Sequence, residues 1–527
     1  MQPLFQPFRD VAAARPDRTR RTPGGDLLEA SLTTLAGRLR RRELTATALL
    51  DAHLARIAVV NPALNAIILD RYDAARAEAK VADQTFATAA ADAKLSPLLG
   101  IPCTVKEFFA VAGMPQTGGM VAYRDRRPTA DSEVVRRLRD AGAVIVGLTN
   151  VPEGGMWMET WNKLYGRTSN PWDVTRTSGG SSGGEGAIVG AGGAVFGIGS
   201  DIGGSVRIPA AFCGTVGHKP SGGMIPLTGH FPPGIAGTQY LCAGPLCRRV
   251  GDVYPILQTL VGRDGVDPEC TATPAALRDP GTVDLARVRV FPVSDPPGVH
   301  TRAVMQSAVA DAAACLRGYG ATVQAANLPS LGEQGLSDLR WAMLLWAASL
   351  TGTSQFTYDQ LLSGGDGIAL GRELWGLLRG RSQYITPSLV IVMSERVSRF
   401  LGGGGAADGQ GSRMAQLRGR LDRLRTQLDD LLGDDGVLIY PPYTRPAPHH
   451  YRPLLTPFDP ACTLIFNVLG YPSTVVPLGL SRDGLPVSVQ VVARHGMDHL
   501  TLAVAAAIEP KFGGWVPPAQ ISAGHRG

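Results

Sequence analysis

An α/β fold, a sheet carrying helices on its faces, is the class this sequence predicts. Three observations point there. Short apolar runs with strand character alternate with helically spaced segments from residue 31 onward, the pattern of a sheet layered with helices. With 44% hydrophobic and 18% charged residues in a chain of 527, the composition supports a large core and excludes wholesale disorder. Glycine is high at 65, and many glycines gather around serines between Ser178 and Ser205 rather than in a repeat of fixed period.

The elements follow in order. Residues 1–30 read as a basic, loosely structured leader. Ser31 can cap a helix that places Leu32, Leu35 and Leu39 on one face. A second helix is expected over Thr45–Val60, with Leu49, Leu50, Leu54, Ile57 and Val60 aligned. The run NPALNAII should break it and lead to an Ala-rich helix near Asp70–Ala93. PLLGIPCTVKEFF reads as a strand ending on Lys106. The helix Asp131–Ala141 and the strand Val144–Leu148 follow, then the loop TNVPEGG. Phe212–Pro220 and Met224–Gly237 are rich in Gly and Pro and should loop over the serine-rich stretch. Val288–Val293 is a strand and Val304–Tyr319 a helix. Residues 335–410 mix bulky apolar residues with Arg at helical spacing. They read as a helical insertion, either core helices or a substrate lid. The helix Ser412–Leu432, the strand Val437–Tyr440 and a hairpin turning at Asp483–Gly484 complete the chain.

Composition also bounds the function. The net charge is +6, mostly from dispersed Arg, with a denser patch between Arg9 and Arg42. No aromatic residues interleave with that patch, which argues against a base-stacking surface and hence against nucleic acid. A solvated face is its plain explanation, and peripheral contact of the leader with a membrane stays open. The seven cysteines contain no CxxC pair and lie mostly in apolar surroundings, the mark of a reducing compartment without structural zinc. The most conspicuous apolar run, Trp341–Leu350, is far short of a membrane span, and residues 1–25 lack the apolar core of a secretory signal. A soluble cytoplasmic protein, a monomer or homodimer, is expected.

The chemistry centres on SGGSSGGEGAIVGAGGAVFGIGSDIGGS, from Ser178 to Ser205. Two glycine-bracketed serine clusters, Gly179–Gly184 and Ser200–Ser205, are joined by a segment carrying Ile188, Val189, Val195, Phe196 and Ile198. Glycines beside serine let the backbone approach a ligand closely and leave peptide N–H groups to face an anion. Ser205 is read as an acyl-transfer nucleophile. Serine needs a base to take its proton, and a lysine can serve only when burial makes it neutral. Lys106, between the apolar run Ile101–Val105 and Phe108–Phe109, is the candidate. A lone lysine is ordinarily a solvated cation, so this assignment depends on its company. Two other matches fail. GSSGG fits the elbow of α/β-hydrolases with Ser182 as nucleophile and His449, His450 or His499 as base, but leaves the second serine cluster and Lys106 unexplained. A phosphate loop would need a Gly-Lys-Ser/Thr that does not follow. No His/Cys/Asp set has metal spacing, and no cofactor is expected.

GGSSGGEGA (179–187), GSDIGGSVRIPAAFCG (199–214) and GIPCTVKE (100–107) together resemble the amidase signature family, at the separations that family keeps. TNVPE, YGRTSNPWD, GHKPS and GLPVSVQVV extend the resemblance from about residue 31 over nearly the whole chain. LGDDGVLIYPPYTRPAPHH and the ending DHLTLAVAAAIEPKFGGWVPP resemble its fatty-acid amide hydrolase 2 branch. The resemblance implies one α/β/α domain over 31–527, with a mixed twisted sheet and the 335–410 segment roofing a channel. It implies a metal-free serine hydrolase of apolar acyl or aryl amides, with esters and carbamates as side substrates. It implies a triad in which Ser205 attacks, Ser181, preceded by a cis peptide, relays the proton, and neutral Lys106 receives it. Ile202, Gly203, Gly204 and Ser205 would supply oxyanion-hole N–H groups. Asp201 and Arg207 would brace the turn, and Ser182 would add a supporting hydroxyl or a helix cap. Gly155, Met156 and Trp157 would line the acyl site, with Gly155 smaller than the residue some relatives carry. Ser200 stands where relatives often have Thr. The membrane segment of some relatives is not implied. Two rival readings are a glutamine-hydrolysing amidotransferase subunit and a non-catalytic scaffold of the same fold.

Overall fold

The computed structural model describes residues 25–90, 92–233, 239–324, 336–351, 357–402 and 407–518. The expected leader up to residue 24, and 234–237 of the expected loop, lie outside the described residues. Residues 25–30 are not loose. Gly25–Glu29 is helical with Leu28 buried, and Ala30 O accepts from Arg248 Nη2 at 2.9 Å.

The strands, in chain order, are β1 (Ile67–Asp70), β2 (Pro102–Lys106), β3 (Val144–Thr149), β4 (Trp161–Asn162), β5 (Gly166–Arg167), β6 (Phe196–Asp201) and β7 (Val216–Lys219). They continue with β8 (Cys242–Cys247), β9 (Arg289–Pro292), β10 (Thr322–Val323), β11 (Gly436–Tyr440), β12 (Ser473–Leu480) and β13 (Pro486–Val492). One 11-stranded sheet runs β1-β3-β2-β6-β8-β7-β12-β13-β11-β9-β10, and β4 pairs with β5 in a separate ribbon. Pairing is parallel for β2 with β3 and β6, and for β9 with β10 and β11. It is antiparallel from β6 through β8, β7, β12 and β13 to β11. The mixed sheet forms a single α/β domain. Its central strands are buried along their whole length, which explains why they read as continuous apolar runs rather than alternating ones.

Helices cover the faces where the spacing predicts. Ser31 Oγ accepts from Thr34 N–H at 3.1 Å and starts the helix Leu32–Arg40, burying Leu32, Leu35 and Leu39. The helix Ala46–Leu64, capped by Thr45, runs past the expected end at 60 and through Pro62. It closes at Asn65, in the left-handed region, while Asn61 Oδ1 takes the N–H groups of Ala66 and Ile67, each at 2.9 Å. Those bonds turn the chain into β1, so the Ala-rich helix begins only at Tyr72 and ends at Thr88. Phe212–Pro220 is not a loop. Phe212 and Cys213 end the helix Arg207–Cys213, Gly214 caps it at φ 73°, and β7 follows in the middle of the sheet. A Cβ on Gly217 would lie 2.6 Å from Ala210 Cβ, so this glycine serves helix–strand contact rather than a turn.

The helices Ala342–Thr351, Tyr358–Ser363, Leu370–Leu378 and Thr386–Gly402 occupy the 335–410 segment, followed by Ala407–Leu432, longer than expected at its start. Leu361, Leu362, Ile368, Leu389 and Val392 pack with Met120 and Phe231. The outer side leaves Trp375, Leu378, Val390, Met393 and Val397 exposed. No helix among the described residues is long and apolar enough to cross a membrane.

Candidate active site

Sheet register brings the first two groups together. β2 lies parallel to β6 with Val105 opposite Ile198, so Lys106 at the end of β2 stands beside the turn that follows β6. Lys106 Nζ lies 2.7 Å from Ser181 Oγ, 3.1 Å from Ser200 Oγ and 3.2 Å from Ser200 O. Burial pushes this amine down to about 7, against the upward pull of Asp201 and Glu185. Neither acid is an available counter-ion. Glu185, buried on the helix Gly183–Gly190 and bonded by Thr104 and Thr149, is itself pushed up to about 8 by burial. Asp201 is taken by Arg207: burial would raise its carboxyl, but the guanidinium and the bonds around it outweigh that and hold it well below the usual range. A buried amine without a free anion is one whose neutral form is favoured.

Ser181 sits just before the helix Gly183–Gly190, and the Gly180–Ser181 peptide is cis. Thr160 Oγ1 pins this loop by donating to Gly179 O at 2.9 Å and accepting from Gly183 N–H at 3.1 Å. Ser182 is the residue before the helix but makes no side-chain cap. Its hydroxyl instead meets the Ser200 backbone, donating to O and accepting from N–H, each at 3.3 Å. It is thereby spent on joining the two serine clusters.

The turn Asp201–Arg207 is built around one carboxylate. Asp201 accepts from Gly204 N–H at 2.7 Å, Val206 N–H at 3.0 Å and Arg207 N–H at 3.3 Å, and pairs with the Arg207 guanidinium at 3.0 Å. Asn467 Nδ2 adds a bond at 3.0 Å. Gly204, expected among the oxyanion donors, stands differently from its neighbours. Its N–H is directed at Asp201, whereas those of Ile202, Gly203 and Ser205 meet no protein acceptor among the described residues. Gly204 has a different necessity: a Cβ there would lie 2.2 Å from Thr463 Oγ1, on a backbone at φ 119°. Ser205 is 8% exposed and Ser181 3%, so the cluster is nearly closed.

Gly155 lies against both aromatic and serine. A Cβ there would come within 2.6 Å of Phe108 Cε2 and 3.7 Å of Ser181 Oγ. Met156 and Trp157 are half-buried, and a Cβ on Gly180 would lie 2.6 Å from the Trp157 carbonyl, so 155–157 borders the cis peptide. The helical segment touches both site loops. Trp346 Nε1 donates to Ile202 O at 2.7 Å, and Tyr358 Oη donates to Glu153 O at 2.9 Å. Sequence reasoning singled out none of Trp346, Tyr358 and His230, whose Nε2 lies 3.0 Å from Ser200 Oγ. Each is distant in sequence from the group it meets. The only pointers were that all three lie on stretches expected to cross or roof the site.

A mixed sheet thus holds a desolvated lysine against serine, beside a turn with unclaimed N–H groups. Comparison with known proteins assigns the class. The Amidase family pattern matches residues 48–502. Fatty-acid amide hydrolase 2-B of Danio rerio is 38% identical over 511 residues, 94% of this chain and 92% of that protein. An acylamidase of Rhodococcus erythropolis is 33% identical, covering 91% of this chain and 94% of its own. The solved structure of 6-aminohexanoate cyclic dimer hydrolase complexed with substrate superposes with a TM-score of 0.68 at 26% identity, over 92% of this chain and 98% of that one. The chain belongs to the amidase family and is an amide hydrolase.

Proposed function

We propose that the protein hydrolyses linear carboxylic amides with apolar acyl or aryl groups through a covalent acyl-enzyme. Ser205 Oγ attacks the carbonyl carbon as its proton passes to Ser181 Oγ, whose own proton passes to neutral Lys106. The developing oxyanion faces the N–H groups of Ile202, Gly203 and Ser205. Collapse breaks the carbon–nitrogen bond, and the leaving amine takes the proton back from Lys106 through Ser181. Water then attacks the ester by the same relay, releasing acid and restoring Ser205. The observation that carries the reading is the buried 2.7 Å contact of Lys106 Nζ with Ser181 Oγ, without an available counter-ion.

The likeness to a fatty-acid amide hydrolase and an acylamidase supports an apolar acyl group. So do Ile202, Leu241, Trp346 and Leu350 around the nucleophile's turn and Phe108 beside Lys106. Gly155, Met156 and Trp157 border the acyl end in this reading, and the 335–410 segment is its lid. Esters and carbamates fit the same oxyanion donors. Buried free thiols such as Cys103, Cys213 and Cys247 fit a cytoplasmic enzyme, monomeric or dimeric. The exposed apolar side chains from Trp375 to Val397 fit peripheral contact with a membrane that delivers the substrate.

The test is a panel: short and long acyl p-nitroanilides, a fatty-acid primary amide, an aryl carbamate and glutamine, with wild type and Ser205→Ala. Turnover of anilides or fatty amides that disappears in the variant is expected. Turnover of glutamine alone would assign the chain to amidotransferase chemistry. No turnover, with no labelling of Ser205 by a fluorophosphonate, would leave a scaffold.

A further inference from the structure

The donors and acceptors around Lys106 can be counted. A neutral amine has two N–H groups and one lone pair. Its three contacts are Ser181 Oγ, Ser200 Oγ and Ser200 O. The Ser200 carbonyl can only accept, so it takes one N–H. The lone pair faces Ser181 only if the second N–H goes to Ser200 Oγ, which requires the Ser200 hydroxyl proton to point away from lysine. The group it meets is His230 Nε2, at 3.0 Å. The ring also bonds the backbone of Pro232, and proline offers only a carbonyl. Nδ1 therefore carries the ring proton, and Nε2 is left to accept.

We infer that His230 is a positioning residue: by accepting the Ser200 hydroxyl proton, it turns both N–H groups of Lys106 toward Ser200 and leaves the amine's lone pair to Ser181. The inference rests on the reading of Lys106 as the base. When Lys106 takes the proton, its third N–H points back at Ser181 Oγ and no heavy atom has to move.

The ring is built to stay in place. Phe108 and Phe109 meet it edge-on at 5.5 and 5.1 Å. His230 N–H donates to Leu227 O at 2.9 Å, and Phe231 N–H to Phe108 O at 2.8 Å. Gln116 Nε2 bridges Phe108 O and Gly229 O at 2.8 and 2.9 Å. Burial, with Lys106 close by, pushes the imidazole down to about 3, so it remains an acceptor throughout the working range. The charged groups that face Lys106 are Asp201 and Glu185, and the substitutions below leave both in place.

The experiment uses the full chain and a hydrolysed anilide, comparing His230→Leu, His230→Gln, Ser200→Ala and the double variant His230→Leu/Ser200→Ala. His230→Leu frees the Ser200 hydroxyl to donate to the lone pair, which weakens the base and favours the neutral amine. The expected result is a fall in kcat on the order of tenfold, little change in KM, and an acid limb of the pH profile moved to lower pH. His230→Gln, whose amide oxygen can accept in place of Nε2, restores both. The double variant is no slower than Ser200→Ala, because both changes act through one hydroxyl. A wild-type profile for His230→Leu, equal losses in Leu and Gln, or losses that multiply would overturn the inference. If His230→Leu does not fold, His230→Phe, a ring of similar size without an acceptor, carries the same expected drop and shift, and a wild-type profile there overturns it. Lys106→Ala and Ser205→Ala in the same assay separate the failures. Activity surviving in either defeats the base reading, whereas loss in both beside an unchanged His230→Leu defeats only this inference.

Discussion

At the scale of single residues, burial decides protonation. Lys106 has its amine lowered to about 7 by desolvation, and the base is competent only when neutral. Activity therefore rises with pH through about 7, and kcat/KM of the wild type against pH checks this. Lys106→Ala should lose roughly 10²–10⁴ in kcat. Glu185 obeys the opposite sign. Its carboxyl is raised from 4.5 to about 8, so the folded state keeps a proton that the unfolded chain has released. Its contribution is full below the unfolded value and is lost as pH rises through about 8. Thermal unfolding of Glu185→Gln should thus gain on wild type steadily between about pH 5 and 8, and an equal difference at both ends would contradict it. Lys106, Ser181 and Ser205 were singled out from glycine-flanked serines, a lysine at a strand end and the family resemblance those segments carry, and the structure sets Lys106 against Ser181. Their polar surroundings were not legible. Ser182, which the resemblance implies as a supporting hydroxyl or a helix cap, has its hydroxyl on the Ser200 backbone, a contact between segments 18 residues apart that no local pattern encodes.

At the scale of elements, glycines fix how closely the loops approach. Gly155 has φ 75°, and a side chain there would overlap the Phe108 ring. Gly155→Ala should cost about 1–3 kcal/mol by overpacking and left-handed strain, measured as a lowered urea midpoint, with KM raised for bulky acyl substrates. A variant as stable and active as wild type would show that the loop has room to move. Helices were the readable elements, since Ser31, Thr45 and Ser132 each cap one with a side-chain oxygen. β7 and β8 were hidden for the reason that exposes the site. Gly217, Gly244 and Pro245 are poor strand residues, yet a Cβ on Gly244 would lie 2.2 Å from His218 O, so close backbone approach outweighs propensity there. β1 was masked by a helix that continues through Pro62.

At the scale of the whole molecule, the alternation of strands and helices carries the α/β class, and one sheet of 11 strands unites both halves of the chain. The strand order was not legible. The segment after Lys106 returns to pair beyond it, and β7 beside β12 brings the middle of the sequence against its C-terminal part, which no local pattern encodes. The helices over 342–402 join this body at two site loops, through Trp346 to Ile202 and Tyr358 to Glu153. Trp346→Ala combined with Tyr358→Phe should reduce kcat/KM for long acyl chains far more than for short anilides. Equal losses on both would mean that the segment is scaffolding rather than a lid.

That pair of bonds has a thermodynamic corollary. The carbonyl that Trp346 holds belongs to the residue whose N–H faces the oxyanion in the proposed reaction, so if the helices above it are the proposed lid, filling the site and closing them are linked and reciprocal. A slow-turnover acylating agent would then act at a distance, shielding the exposed arginines Arg372, Arg379 and Arg381 from trypsin, and an antibody raised against that outer surface would change the rate of acylation at Ser205 without touching it.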